Sequence, residues 1–229
     1  MSIKVWLDAG HGGKDPGALG NNLKEKDINL AATKEVNRIL EKHGVTVGTT
    51  RTSDTFMELS DRSKKANDFK ADILVSIHCN AFEDPSAQGV EVYHYPGSTK
   101  GKKLAQYIHD EVIKAKLYTK DRGVKSANFH MLRVPTMPCA LIEMAFITNK
   151  QDAELLKNKQ KEFALAIAKG ILSYLGIKYV EPKKEKSKQG TGIIYRVQVG
   201  AYREKKNAEN MVKKLKDKGF EAIIVTVKQ

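Results

Sequence analysis

Apolar and polar positions follow two rhythms along this chain, and the rhythm switches many times. Ile3–Asp8 is a short apolar run that reads as a buried strand. In Asp27–His43 (DINLAATKEVNRILEKH), Ile28, Ala31, Ala32, Val36, Ile39 and Leu40 recur at helical spacing, and Gly44 supplies a stop. Val45–Thr50 predicts a second strand, Met57–Phe69 a second helix and Ile73–His78 (ILVSIH) a third strand. Gly89–Tyr95 alternates like a half-exposed strand, and Lys100–Lys116 reads as a helix. Cys139–Ala145 (CALIEMA) reads as another buried strand, followed by one or two helices over Asp152–Ile177. Strands interleaved with helices predict an α/β fold: a mostly parallel twisted sheet with helices on both faces.

The texture changes near residue 180. Glu181–Gly192 (EPKKEKSKQGTG) holds no apolar residue and reads as a linker. Ile193–Val199, Glu204–Lys218 and Ala222–Val227 then read as strand, helix and strand, a small C-terminal βαβ-like unit. The expected division is a main unit over 1–178, a linker over 179–192 and a small unit over 193–229. A unit below about 40 residues rarely buries a core alone, so its apolar faces call for a partner: a second copy, the main unit or another molecule.

Composition narrows the class. Nothing approaches the ~18–20 apolar residues of a membrane helix, so no membrane partner is expected. The opening MSIKVWLDAG has no secretory leader pattern, so synthesis in the cytoplasm is expected, with extracellular work only after release by lysis. Cys79 and Cys139 are too few for a disulfide scaffold and read as small buried residues. The net charge is +13, and residues 181–229 carry 13 Lys+Arg against 6 Asp+Glu. That tail suits a polyanion: nucleic acid, an anionic membrane or an anionic wall polymer. No nucleic-acid motif accompanies the charge.

The chemistry concentrates at the ends of the predicted strands. Leu7–Asp15 (LDAGHGGKD) looks at first like a phosphate loop, but both phosphate-binding patterns fail on Asp8 and Asp15. His11 and His78 each directly follow or end an apolar strand, and ligands of parallel α/β sheets gather at that edge. Two imidazoles there suggest a metal site, whose third ligand could be Glu25 or Asp27, just before the first helix. Either acid also suits an ordinary helix start, and position alone does not choose. Glu143 lies inside the apolar segment CALIEMAFI, where a carboxylate is costly unless paired or bound to metal. His43 reads as a helix-end residue, and His94 and His109 as surface residues. Asp8 and Asn80 flank the two strand-end histidines and read as orienting them, or as plain structural hydrogen-bonding groups. His130, in NFHMLR, reads either as substrate-facing or as surface.

Four segments in order, DAGHGGKDPGALG, KEKDINL, ADILVSIHCNA and ALIEMAFITN, resemble the motifs of zinc-dependent N-acetylmuramoyl-L-alanine amidases of the amidase-3 type, over residues 1–175. The resemblance implies Zn²⁺ as cofactor, His11, Glu25 and His78 as its ligands, and Glu143 as the catalytic base. It decides for Glu25 over Asp27. One departure appears: Glu143-Met144-Ala145-Phe146 has Ala where the family usually has Gly, tolerable if backbone φ there is negative. The implied reaction is hydrolysis of the amide between N-acetylmuramic acid and L-alanine in peptidoglycan. YRVQVGAY, NAENMVKKL and GFEAIIV are in turn similar to half of a SPOR repeat, which implies peptidoglycan binding and suggests homodimerisation through residues 193–229. The expected partners are bacterial peptidoglycan and anionic wall polymers, not nucleic acid. The alternative is a non-catalytic peptidoglycan-binding protein on the same fold; the intact set His11, Glu25, His78 and Glu143 argues against it.

Overall fold

The computed structural model describes residues 2–181 and 197–226. The chain separates into two compact units, 1–180 and 181–229.

The first unit is built on one six-stranded sheet. β1 (Lys4–Ala9) pairs in parallel with β4 (Thr46–Thr49) on one side and β5 (Ile73–Asn80) on the other. β5 continues in parallel to β8 (Cys139–Phe146), after which β6 (Val90–His94) runs antiparallel and carries β7 (Asp121–Ser126) beside it. The order is therefore β4-β1-β5-β8-β6-β7, with four strands in one direction and two in the other. A separate two-stranded hairpin, β2 (Leu19–Gly20) and β3 (Leu23–Lys24), turns through Asn21 and Asn22, both at positive φ (50° and 62°). Two residues at positive φ make the mirror-image turn that hairpins favour, and asparagine tolerates it better than most residues.

The period-2 alternation of the strands sorts the two faces. Val5, Leu7, Ile73, Val75, Ile77, Val90, Val92, Ala140, Ile142 and Met144 enter the larger core. There they meet α1 (Glu25–Lys42), α3 (Thr99–Lys114), α5 (Lys150–Asn158) and α6 (Gln160–Tyr174). The opposite face presents Trp6, Leu74, Cys139 and Leu141 to a smaller core under α2 (Leu59–Phe69) and α4 (His130–Arg133). Helices thus cover both faces, as the alternation of elements predicts. Close packing of α3 on α6 needs Gly170, where a Cβ would stand 2.5 Å from Ile108 Cα.

The predicted span 152–177 resolves into α5 and α6, broken at Lys159. β7, α4 and the β2–β3 hairpin have no counterpart in the predicted elements. β7 escapes because its pattern, DRGVKS, has a single apolar residue. Cys79 and Cys139 are free and buried, as expected. Among the described residues, no helix is long and apolar enough to cross a membrane.

In the second unit, α7 (Lys205–Asp217) forms where Glu204–Lys218 predicts it. The predicted strand Ile193–Val199 lies mostly outside the described residues, and its described part, 197–199, is not in a strand. Residues 222–226 of the other predicted strand carry no ladder either. A strand exists only by pairing. With no residue of α7 buried, nothing described here supplies a packed surface on which these segments could pair.

Candidate metal centre

The last buried residue of β1 is Ala9, and the chain then turns sharply. His11, Gly12 and Gly13 all have positive φ (61°, 134° and 57°). For histidine that conformation is strained by about 1–3 kcal/mol and needs support from its surroundings. Two buried arginines supply it. Arg51 donates to the carbonyls of Ala9 (3.2 Å) and Gly10 (2.9 Å), and Arg62 to those of Ala9 (2.8 Å) and His11 (2.8 Å). Arg62 also pairs with the buried Asp8 carboxylate at 3.0 Å. Gly10 cannot be replaced without moving the site, because a Cβ there would lie 2.2 Å from the His78 ring.

Glu25 opens α1 and is 3% exposed. Its carboxylate accepts from the backbone amides of Ala18 (2.8 Å) and Cys79 (3.1 Å) and from Asn29 Nδ2 (3.1 Å). The same two oxygens face His11 Nε2 at 3.2 Å and His78 Nδ1 at 2.9 Å. The two rings meet edge to face, 5.1 Å between centroids. His11, Glu25 and His78 each offer a ligand atom, all within 4.8 Å of one another. Asp27, the other candidate for the third position, is exposed on α1 and takes no part.

Two nitrogens and one oxygen match the ligand preferences of zinc, and three protein ligands leave one coordination position open for chemistry. Asp15 accepts a hydrogen bond from His11 Nδ1 at 2.8 Å, the carboxylate–imidazole arrangement that fixes a ligand tautomer. Gly17 completes the cradle: a Cβ there would come within 2.6 Å of Glu25 Oε2 and 2.7 Å of the His11 ring. The residues fit a divalent metal. Burial opposes charge on both imidazoles, yet Glu25 and Asp15 together lift His11 to about 9, and Glu25 raises His78. Burial likewise disfavours charge on Glu25, but the histidines hold it well below the usual carboxylate range.

Glu143 faces this group from the neighbouring strand. It pairs in register with His78 on one side and with Glu91 on the other, so the three side chains form one row across β5, β8 and β6. Its Oε2 is buried and has no hydrogen-bond partner. Burial, reinforced by the charges of Glu25 and Glu91 and opposed by His78, pushes Glu143 up to about 8. A carboxyl poised near neutrality with a bare oxygen is equipped to take up and release a proton. Ala145, two residues on, is not among the residues of positive φ, so its methyl group replaces the usual glycine without backbone strain.

Asp8 and Asn80 do other work than orienting the histidines. The Asp8 carboxylate accepts from Thr50 Oγ1 and Ser76 Oγ (both 2.7 Å) and from Arg62, so it supports the turn beneath His11 rather than a ring. Asn80 donates to Glu91. Orientation of His11 falls to Asp15, which lies four residues on and is brought back by the glycine turn. His43 caps α1, its Nδ1 2.8 Å from Ile39 O. His94 is half-buried, its Nδ1 2.9 Å from Tyr95 O, whereas a surface position was expected. The expectation also fails for His109, which is buried with Nε2 2.7 Å from Asp121, because α3 turns that position toward β7. His130 Nε2 lies 3.1 Å from Ser63 Oγ, tying α4 to α2. Glu91 went unnoticed in the sequence: its place in GVEVYHY looks like the wet face of a half-exposed strand, yet it is 2% exposed.

Residues 5–173 match the family described as N-acetylmuramoyl-L-alanine amidase. The chain belongs to this amidase family. Residues 191–229 match the SPOR domain. Over 228 residues the amidase is 39% identical to a sporulation-specific N-acetylmuramoyl-L-alanine amidase of Bacillus subtilis, covering 97% of this chain and 84% of that one. It is also 45% identical over 197 residues to the endolysin of Bacillus phage SPP1, covering 81% and 72% of the two chains. Among solved structures, the N-acetylmuramoyl-L-alanine amidase AmiC2 of Nostoc punctiforme superposes with a TM-score of 0.72 at 40% identity, over 76% of this amidase and 97% of that chain. The catalytic domain of CwlV, from Bacillus (Paenibacillus) polymyxa var. colistinus, gives 0.73 at 38% identity, over 77% and 99%.

Proposed function

We propose that this chain cleaves the amide between the lactyl group of N-acetylmuramic acid and L-alanine in peptidoglycan, with zinc held by His11, Glu25 and His78 and with Glu143 as general base and acid. Family membership carries the reaction. The observation that supports the residue roles is the row His78–Glu143 beside a three-donor cluster, with one bare carboxylate oxygen aimed where no protein group meets it.

When bound, the ion supplies Lewis acidity, acidifying water and polarising the scissile carbonyl. The remaining work belongs to side chains. Glu143 accepts the proton of the attacking water, then delivers it to the nitrogen of the departing alanine. Its buried Oε2, which meets no other protein group, is the atom left to carry that proton. Asp15 keeps the proton of His11 on Nδ1, leaving Nε2 free as a donor to the ion. Arg51 and Arg62 hold the backbone that carries His11.

The unit over 1–178 is the catalytic domain in this reading, joined through 179–192 to a wall-binding SPOR unit over 193–229. Anionic wall polymers are a further partner for its basic surface, and the apolar side chains Val197, Phe220 and Ile223, each exposed, suit self-association of two tails. Purified walls should lose turbidity with the intact protein and yield free L-alanine amino termini. New reducing sugar ends in place of amino termini would overturn the reaction. Sedimentation tests the tail: a monomer at micromolar concentration excludes the dimer.

A further inference from the structure

The row that holds Glu143 continues beyond it into a cationic shelf. Glu91, next in register on β6, is buried and accepts hydrogen bonds from Asn80, Tyr93, Arg122 and Lys125. Arg122 and Lys125 both come from β7 and are partly open to solvent, with side chains 28% and 38% exposed. Among the described residues, Glu91 is the only carboxylate with which either forms an ion pair. One buried negative charge therefore anchors two cations, and the cluster keeps a surplus positive charge with donors left over. Arg122 is further steadied over the Phe146 ring, 4.9 Å from its centroid, at the end of the strand that carries Glu143. Phe129 (42% exposed) stacks edge to face on Tyr93 beside them.

We propose that Arg122 and Lys125 form a subsite for a carboxylate of the leaving peptide, one residue beyond its L-alanine. The proposal rests on the amidase reading above and extends it to substrate choice. Three observations carry it. The cations are held, not floppy, and only partly neutralised. Their place is right: adjacent strands lie about 4.8 Å apart, so β7 is about 10 Å from Glu143, and the cations lean back over Glu91 toward it. A peptide advances about 3.5 Å per residue, so a carboxylate on the second residue falls within that interval when the alanine nitrogen sits at Glu143. Finally, the charge selects the peptide over the sugar. The muramoyl side has spent its lactyl carboxyl in the scissile amide and brings no charge of its own, so a carboxylate that reaches these cations comes from the peptide side. Charge-assisted pairing with a guanidinium and an ammonium is the strong form of such recognition.

The test uses the full chain loaded with zinc and two soluble muramoyl peptides that differ only at the second residue, one with its carboxylate free and one with it converted to carboxamide. The carboxylate substrate should show about tenfold higher kcat/KM, carried mainly by KM, and the preference should shrink as salt rises. In Arg122→Gln and Lys125→Gln the preference should fall toward one. Equal kcat/KM on both substrates by the unmodified protein would overturn the proposal, as would variants that keep the full preference. Cleavage of neither substrate would instead count against the amidase reading itself. The comparison of the two substrates on the unmodified protein needs no variant, so it stands even if a substitution beside buried Glu91 prevents folding.

Discussion

Glu143 and His78 stand directly opposite each other on neighbouring strands, and this pairing sets the distance between the candidate base and the candidate metal. β5 and β8 pair without a shift from Leu74–Cys139 through His78–Glu143, a register pinned by their buried faces, so the spacing is a property of the fold rather than of two flexible side chains. Glu143→Gln keeps shape and ladder but removes the titrating group. It should lower kcat by about 10²–10⁴ while zinc content stays unchanged. Product chromatography of muropeptide digests checks the first part and elemental analysis the second; activity within a fewfold of normal would remove Glu143 from the mechanism.

The ligand assignment predicts a graded loss of metal. Asp15→Asn weakens only the orientation of His11 and should cost about 10–100-fold in zinc affinity. His78→Ala deletes a donor and should cost more. Competition against a chromophoric chelator ranks the two. An unchanged zinc content in His78→Ala would mean that the ligand set is wrong.

Metal-free protein should grow less stable as pH rises above neutrality. His11 is lifted to about 9 from 6.5, so its contribution is complete below 6.5 and disappears as pH climbs through 9. Glu143 is lifted to about 8 from 4.5, so its contribution is already declining above 4.5 and is gone above 8. Both trends have the same sign. Urea unfolding with chelator at pH 6.5 and pH 9 should show the lower midpoint at pH 9; a flat profile would contradict the charge arrangement around Glu25. Loading zinc at pH 7 should release protons, measurable by calorimetry in buffers of different ionisation enthalpy.

Arg62→Met should be expensive for the fold. It removes the ion-pair partner of the buried Asp8 carboxylate, 1% exposed, and frees the carbonyl of His11, while Ala9 keeps only its longer bond from Arg51. Breaking one side of such a buried pair costs about 3–5 kcal/mol. Chemical denaturation measures this, and a loss below about 1 kcal/mol would show that Thr50 and Ser76 suffice for Asp8.

β1, β5 and β8 were legible because they are nearly continuous apolar runs bounded by turns and helices, a signal that needs no partner to be read. His11 and His78 followed from it, since both sit where such strands end. Glu25 could not be separated from Asp27 by position: two residues, about half a turn of helix, put one in the site and the other in solvent, and only the motif resemblance chose. The antiparallel half was harder. β7 has one apolar residue, and Glu91 looks solvated until Arg122 and Lys125 are seen to close over it. Arg51 and Arg62 were equally silent, because apart from the Asp8 carboxylate on Arg62 the partners named for them are backbone carbonyls, which carry no side-chain signature.

The order in which the site's parts appear along the chain has a consequence for how the site is completed. Cys79, whose amide holds Glu25, follows the last of the three candidate ligands by one residue, but Glu143 arrives only with β8, which also closes the open edge of β5. A chain broken or terminated before Cys139 lacks both the candidate base and one of the two central strands of the sheet. On the proposed roles such a fragment holds all three metal ligands and no base, so metal binding and wall cleavage become separable at the point where β8 is made.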